Sequence, residues 1–133
     1  MARVVLACFG SYGDLFPYLA IAARLKALGH VPVVTSCPYY ASLVTNEGFE
    51  FRPLRPDIQP NDQDLLKRIM DPQRGSEIIV RELVAPAIRE SYEDIVAAAD
   101  GADLIVSHPI TFGAPLAAER LQLPWVATVL VAP

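Results

Sequence analysis

Two patterns of apolar residues alternate along this chain: short continuous apolar runs, and longer segments in which apolar residues recur every three or four positions. Continuous apolar runs rich in β-branched residues are typical of strands buried on both faces, and they occupy residues 4–9, 31–35, 103–107 and 125–131. Residues 49–53 predict a further, weaker strand. Apolar residues spaced by three or four positions predict helices over residues 15–28, 39–46, 77–99 and 112–121. Pro86 predicts a kink or a break within the third of these helices.

The predicted fold follows from this alternation. Strands that alternate with helices indicate an α/β protein with a parallel sheet and right-handed crossovers. We therefore predict a Rossmann-like, doubly wound parallel sheet of about five or more strands, in three α/β/α layers. Residues 1–133 fit a single domain.

One segment, residues 55–76, departs from the alternation. It contains prolines at positions 56, 60 and 72 among many polar residues, which predicts an irregular segment with one helical turn at residues 65–70. Irregular segments of this size are uncommon in compact domains and often carry function.

Composition narrows the class of protein. The chain is 53% hydrophobic with a mean hydropathy of +0.32, which excludes a disordered chain. Its net charge of −4 argues against nucleic-acid binding. Cys8 and Cys37 are its two cysteines and read as reduced thiols. Its apolar runs are all shorter than the ~20 residues of a membrane span, so we expect a cytoplasmic protein with no integral membrane segment.

The candidate ligand-binding residues lie where the predicted strands end. Ligands of open α/β sheets bind outside the carboxyl ends of the strands. In this chain those ends are residues 10–14, 36–40, 107–111 and 131–133. His30 begins the second strand, at the opposite end of the sheet, and is expected to have a structural role there by capping carbonyls at the C-terminus of the first helix. Trp125 is expected in the core.

The first of these loops reads GSYGD, from Gly10 to Asp14. It is neither a dinucleotide fingerprint nor a Walker loop. Its glycines would allow a ligand close to the backbone, and Ser11 and the amides of the following helix favour an anion such as phosphate. Asp14 has two readings that the residues leave open: a cap of the first helix, or a carboxylate that takes a proton from a substrate hydroxyl.

Two longer stretches carry a resemblance to a known family. GSYGDLFPYLAIAARLKALGH, residues 10–30, resembles the N-terminal signature of GT-B glycosyltransferases that act on sterols, lipids and antibiotic aglycones. FGAPLAAERLQLPWVATVLVAP, residues 112–133, is similar to a later segment of the same family. The matching positions of the first stretch are Gly10, Ser11, Gly13, Asp14, Pro17, Leu25, Gly29 and His30, with Ile21 at a leucine position.

The resemblance implies a role for this chain as the N-terminal, acceptor-binding domain of a hexosyltransferase, of the family 28 or UDP-glycosyltransferase type. It implies that Asp14 is the general base for inverting transfer from a UDP- or TDP-sugar to a lipid, sterol or natural-product hydroxyl. The nucleotide-sugar is then a co-substrate, and neither a separate cofactor nor a metal is implied.

The same resemblance assigns the other site residues. Gly10, Ser11 and Gly13 would contact the donor diphosphate. Residues 57–76 would line the acceptor pocket, and the acceptor contacts would include Tyr12, Tyr39, His108 and Phe112. Aromatic packing for Tyr39 and a turn role for His108 are the alternative readings.

The chain also departs from the family pattern. Tyr12 stands where many relatives carry a basic or other polar residue, and the donor-binding C-terminal domain is absent, so we expect the 133-residue chain alone to be inactive. It would act with a separate C-terminal glycosyltransferase half. The alternatives are a stand-alone Rossmann-like module that binds a nucleotide or anion, and a truncation product without function.

Overall fold

The computed structural model of the chain describes residues 1–130, and these form a five-stranded sheet flanked by helices. The strands are β1 Arg3–Ala7, β2 Val31–Ser36, β3 Glu50–Pro53, β4 Leu104–Ser107 and β5 Trp125–Ala127. The α-helices are α1 Tyr12–Ala27, α2 Ala41–Asn46, α3 Gln63–Ile69, α4 Gly75–Ile78, α5 Ile88–Ala98 and α6 Gly113–Leu121.

The sheet is parallel throughout, in the order β3-β2-β1-β4-β5. The chain adds β2 and β3 on one side of β1 and then crosses over to place β4 and β5 on the other side. This is a doubly wound sheet, so the predicted fold is confirmed. The point where the order reverses lies between β1 and β4, and there the loops that follow both strands meet.

The strands are apolar throughout because helices cover both faces of the sheet. Val4 and Leu6 of β1 belong to a core cluster with α1 and α2, whereas Val5 and Ala7 belong to a second cluster with α5 and α6. Full burial of an aliphatic side chain such as Leu6 contributes about 1.5–3 kcal/mol to folding. The three predicted layers are therefore present.

Helix α6 packs closely on α5 because residue 113 is a glycine. A Cβ atom at Gly113 would lie 2.7 Å from the backbone nitrogen of Tyr92, and a backbone atom has little room to move. The contact sets the position of the first turn of α6, which directly follows the loop after β4.

The region predicted as one helix over residues 77–99 is broken, as Pro86 indicates. Helix α4 passes into a widened turn at Ile79–Val84 and a tight turn at Ala85–Ala87, and α5 begins at Ile88. Proline has no N–H to donate to the preceding helical turn, so regular hydrogen bonding stops there. The departure begins earlier than predicted, at Ile79.

The segment over residues 55–76 is more regular than predicted. It contains the two-turn helix α3, where the sequence indicates a single turn. Asp62 caps this helix, because its Oδ1 accepts hydrogen bonds of 3.1 Å from the backbone nitrogens of Asp64 and Leu65.

The prediction for Trp125 is wrong. This side chain is 43% exposed, because β5 has only one neighbour in the described sheet. Its indole Nε1 donates a hydrogen bond of 2.9 Å to Ser107 Oγ. Strand β5 ends at Ala127 rather than at residue 131, and the predicted strand end at residues 131–133 lies outside the described residues.

His30 has a structural role, with a partner different from the expected helix carbonyls. Its Nδ1 accepts a hydrogen bond of 3.0 Å from the backbone nitrogen of Ala2, at the amino ends of the strands. None of the helices formed by residues 1–130 has the length and apolar character needed to cross a membrane.

Candidate functional site

Asp14 lies in the first turn of α1, at the carboxyl end of β1. The helix begins at Tyr12 and Ser11 is its N-cap, so Asp14 is the third helical residue and not the N-cap itself. Asp14 nevertheless caps the helix, as the acidic member of a capping box with Ser11. Its carboxylate folds back over the turn. Oδ2 accepts a hydrogen bond of 2.9 Å from Ser11 N and one of 3.2 Å from Ser11 Oγ.

Gly10 makes room for this carboxylate. Its φ is +140°, a conformation that L-residues with side chains rarely adopt, and a Cβ atom there would lie 2.1 Å from Asp14 Oδ2. The Tyr40 hydroxyl donates a hydrogen bond of 2.9 Å to the Gly10 carbonyl and holds the turn from the adjacent strand end. The turn therefore needs glycine for both its backbone conformation and the space beside Asp14.

His108 meets Asp14 across the reversal point of the sheet. Ala7 of β1 pairs with Ser107 of β4, and the His108 backbone nitrogen donates a hydrogen bond of 2.9 Å to Ala7 O. The imidazole Nε2 then lies 3.3 Å from Asp14 Oδ1. The His108 side chain is 13% exposed and that of Asp14 is 35% exposed. The structure places His108 against the candidate base, and its predicted contact with an acceptor stays a prediction.

These contacts favour the ionised form of Asp14. Hydrogen bonding from His108 is the largest cause that lowers its pKa below the ordinary value of 3.8, and the two hydrogen bonds from Ser11 act in the same direction. Partial burial opposes them by penalising the charged form. The lowered pKa thus favours the ionised form of Asp14, which is the form that can accept a proton.

An apolar cavity of about 280 Å³ opens beside Asp14. Gly10, Ser11 and Asp14 form part of its wall, and Ile110 lies on the same wall. Most of the remaining wall comes from the segment between β3 and α5: Ile58, Pro60, Leu66, Ile69, Met70 and Leu83. All of these except Leu83 lie within residues 57–76, the segment expected to line a pocket.

The aromatic residues expected to contact an acceptor lie outside that wall. Tyr12 stacks on Phe16 with ring centroids 5.7 Å apart and meets Tyr39 and Tyr40 edge-on at 6.4 and 5.1 Å. Phe112 directly precedes α6 and is 37% exposed. The acceptor contacts of Tyr12, Tyr39 and Phe112 stay predictions.

The predicted diphosphate contacts surround the same helix terminus. The first amides of a helix, here those of Tyr12 and Gly13, have no acceptor within the helix and suit an anion. Both donors of Ser11 point at Asp14, so a phosphate at Ser11 would have to share them. The contacts of Gly10, Ser11 and Gly13 with a diphosphate stay predictions.

Two other features of the described residues bear on where a ligand binds. Within residues 1–130, no group of three or more His, Cys, Asp or Glu side chains is arranged to hold a metal ion. A more open groove of about 470 Å³ runs between α5 and α6, and its walls include Arg89, Tyr92 and Arg120 but no strand-end residue. The chemistry therefore points to the cavity beside Asp14.

Known proteins resemble this chain over nearly its whole length. It is 28% identical to the O-mycaminosyltylonolide 6-deoxyallosyltransferase of Streptomyces fradiae, over 94% of this chain and 30% of that protein. It is 28% identical to a sterol 3-beta-glucosyltransferase of Arabidopsis thaliana, over 92% of this chain and 20% of that protein. The chain thus spans less than a third of the length of either relative.

Solved structures share the fold. The glycosyltransferase SsfS6 of Streptomyces sp. SF2575 superimposes with a TM-score of 0.73 at 20% sequence identity, over 96% of this chain and 39% of that chain. The glycosyltransferase SnogD of Streptomyces nogalater gives a TM-score of 0.70 at 20% identity, over 98% of this chain and 34% of that chain. Residues 4–132 match the family described as the glycosyltransferase family 28 N-terminal domain. The chain therefore belongs to the glycosyltransferase family 28 N-terminal domain family, as its two signature stretches indicate.

Proposed function

We propose that the protein containing this chain transfers a hexosyl group from a nucleotide diphosphate-sugar to a hydroxyl of a lipid, sterol or natural-product acceptor. This chain would be its acceptor-binding part. The observation that carries the proposal is the ionised carboxylate of Asp14 in the wall of an apolar cavity, at the point where the strand order reverses. The relatives named for 6-deoxyallosyl and sterol glucosyl transfer support the same reaction class.

The proposed reaction is an inverting displacement at the anomeric carbon of the sugar. The acceptor O–H bond breaks and its proton passes to Asp14, while the acceptor oxygen forms a bond to the anomeric carbon. The bond from that carbon to the diphosphate breaks, and the nucleoside diphosphate leaves with the electron pair. General base catalysis of this kind contributes about 10²–10⁴-fold to rate.

The apolar cavity suits the acceptor better than the donor. Its wall outside Gly10, Ser11 and Asp14 consists mainly of aliphatic side chains, which bind a hydrophobic ring or chain by excluding water. A nucleotide diphosphate needs several donors or cations, and the cavity wall contributes none from lysine or arginine among the described residues. We propose that a C-terminal glycosyltransferase half holds the donor on the far side of Asp14.

The proposal is tested by an activity assay on the protein that contains this chain together with its donor-binding half. UDP- and TDP-hexoses are incubated with sterol, lipid and polyketide acceptors, and nucleoside diphosphate release and product mass are measured. We expect release that depends on the acceptor and a product heavier by one hexosyl unit. Tight nucleotide binding by the chain alone, with no product from any pair, would contradict the proposal and favour the anion-binding module.

Leu66→Gln tests whether the cavity holds the acceptor. Leu66 is half-buried in the cavity wall, and an amide left without a partner there costs about 1–3 kcal/mol, or roughly 10-fold in affinity. We expect a KM for the acceptor raised by about 10-fold, with the KM for the donor little changed. Lys67→Gln is the matched control, because Lys67 is exposed on the same helix. Equal acceptor KM values in the two variants would place the acceptor elsewhere.

A further inference from the structure

His108 has contacts that determine which atom of the site can accept a proton. Its Nδ1 accepts a hydrogen bond of 3.4 Å from the backbone nitrogen of Ile110, two residues along the same loop. A ring nitrogen that accepts an N–H cannot itself carry the proton of a neutral imidazole. The proton of neutral His108 is therefore on Nε2, which faces Asp14 Oδ1 at 3.3 Å.

The two carboxylate oxygens of Asp14 therefore accept different numbers of hydrogen bonds. An ionised carboxylate oxygen has two lone pairs that accept hydrogen bonds. Oδ2 already accepts two, from Ser11 N and Ser11 Oγ. Oδ1 has the Nε2–H of His108 as its partner, which leaves one lone pair of Oδ1 for a substrate proton.

We propose that His108 is a positioning residue that acts only as a hydrogen-bond donor to Asp14, so that the acceptor proton goes to the remaining lone pair of Asp14 Oδ1 and not to the imidazole. The inference rests on the proposed function and refines its mechanism. The acceptor O–H proton moves to Oδ1 and neutral His108 keeps its own proton throughout. A histidine base held by Asp14 through Nε2 would have to accept the proton on Nδ1, and that nitrogen already accepts the N–H of Ile110.

Among the titratable neighbours of Asp14, His108 is the one whose loss would raise the pKa of the carboxyl most, because its hydrogen bond is the largest cause that lowers it. Cys8, Tyr18 and Tyr40 are the other titratable side chains that influence or are influenced by its charge, and burial raises the pKa of all three, to about 12 for Cys8 and Tyr40. Cys37, in the cavity wall, also has a pKa raised by burial. All four are neutral in the acid range where Asp14 titrates.

The test compares His108→Gln with His108→Leu in the complete enzyme. The glutamine amide nitrogen can take the place of Nε2 as a donor, whereas leucine cannot donate at all. We expect His108→Leu to lower kcat by about 10- to 100-fold with the KM for the acceptor nearly unchanged, because a misplaced base costs rate rather than binding. We expect His108→Gln to stay within a few-fold of the wild type.

The pH profile separates positioning from a purely structural effect. Loss of the donor removes the largest cause that lowers the Asp14 pKa, so the acid limb of kcat/KM should move to higher pH in His108→Leu and less in His108→Gln. A structural role alone would lower the rate without moving that limb. A glutamine variant as inactive as the leucine variant would overturn the proposal, because it would show that a hydrogen-bond donor to Asp14 is not all that His108 provides.

A second measurement does not depend on transfer activity. Imidazole ¹⁵N NMR of the complete protein, labelled at histidine and recorded where His108 is neutral, reports which ring nitrogen carries the proton, and the signal is assigned with His108→Gln. We expect protonated Nε2 and unprotonated Nδ1. The opposite tautomer would overturn the inference about His108, even in a protein whose transfer activity is normal.

Discussion

Asp14→Asn is expected to lower kcat about 10²–10⁴-fold in the complete enzyme, the usual contribution of a general base. The change removes the proton acceptor and keeps the size and shape of the side chain. The asparagine oxygen can still accept from Ser11, so the first turn of α1 should persist. Steady-state kinetics with a saturating acceptor measure the loss.

The stability of this variant should change far less than its rate. Loss of the negative charge near the start of α1 costs about 0.3–1 kcal/mol. Since the pKa of folded Asp14 is lowered, its charge stabilises the fold above the ordinary value of 3.8, and this contribution disappears as pH falls through the lowered folded value. The difference in unfolding free energy between the variant and the wild type should therefore shrink in acid.

Asp62→Asn is the matched control for Asp14→Asn. Asp62 is also a carboxylate at a helix start, where it accepts from two backbone nitrogens, but it is exposed and is not part of the cavity wall. Its kcat should equal that of the wild type. Turnover of Asp14→Asn within a few-fold of the wild type, beside an unchanged Asp62→Asn, would remove Asp14 from the mechanism.

Gly10→Ala is expected to reduce kcat by about 100-fold, because displacing a reacting group by about 1 Å can cost that much. The added Cβ would lie 2.1 Å from Asp14 Oδ2, so the carboxylate would have to leave Ser11. The positive φ adds about 1–3 kcal/mol of strain, so the variant should also unfold at a lower temperature. Kinetics and thermal unfolding of the same preparation measure both effects.

Gly29→Ala separates the effect of backbone strain from the effect of displacing the Asp14 carboxylate. Gly29 also has a positive φ, +86°, but a Cβ atom there would meet nothing within 4 Å. It should therefore lower stability through backbone strain while leaving kcat unchanged. Equal losses of kcat in the two variants would show that general destabilisation, and not the position of Asp14, explains the effect at Gly10.

The loop GSYGD was interpretable from the sequence because its constraints are local. The glycine at position 10 and the aspartate at position 14 belong to one turn, and the helical pattern that follows fixes where that turn ends. The N-cap position was misassigned by three residues, since Ser11 and Asp14 both suit a helix start. Only the backbone of Ser11, with its extended ψ of −178°, distinguishes between them.

The residues that line the cavity were only partly predictable, because some of them have the same spacing as core residues of a helix. Residues 57–76 were expected to line a pocket, and Ile58, Leu66 and Ile69 do form part of its wall. Leu83 and Ile79, in the predicted helix, were missed, because apolar residues at helical spacing read as core residues. The widened turn at Ile79–Val84, which interrupts that spacing, is visible only in the folded chain.

The sequence by itself determined the α/β class, the parallel sheet, the break at Pro86 and the placement of Asp14 beside a glycine turn. These features depend on local periodicity, which reports how many faces of an element are buried. Tertiary contacts put β5 at the edge of the sheet formed by residues 1–130, where Trp125 is exposed, and bring His108 against Asp14. Periodicity does not specify which strands become neighbours, and it is the pairing of β1 with β4 that brings the imidazole to the carboxylate.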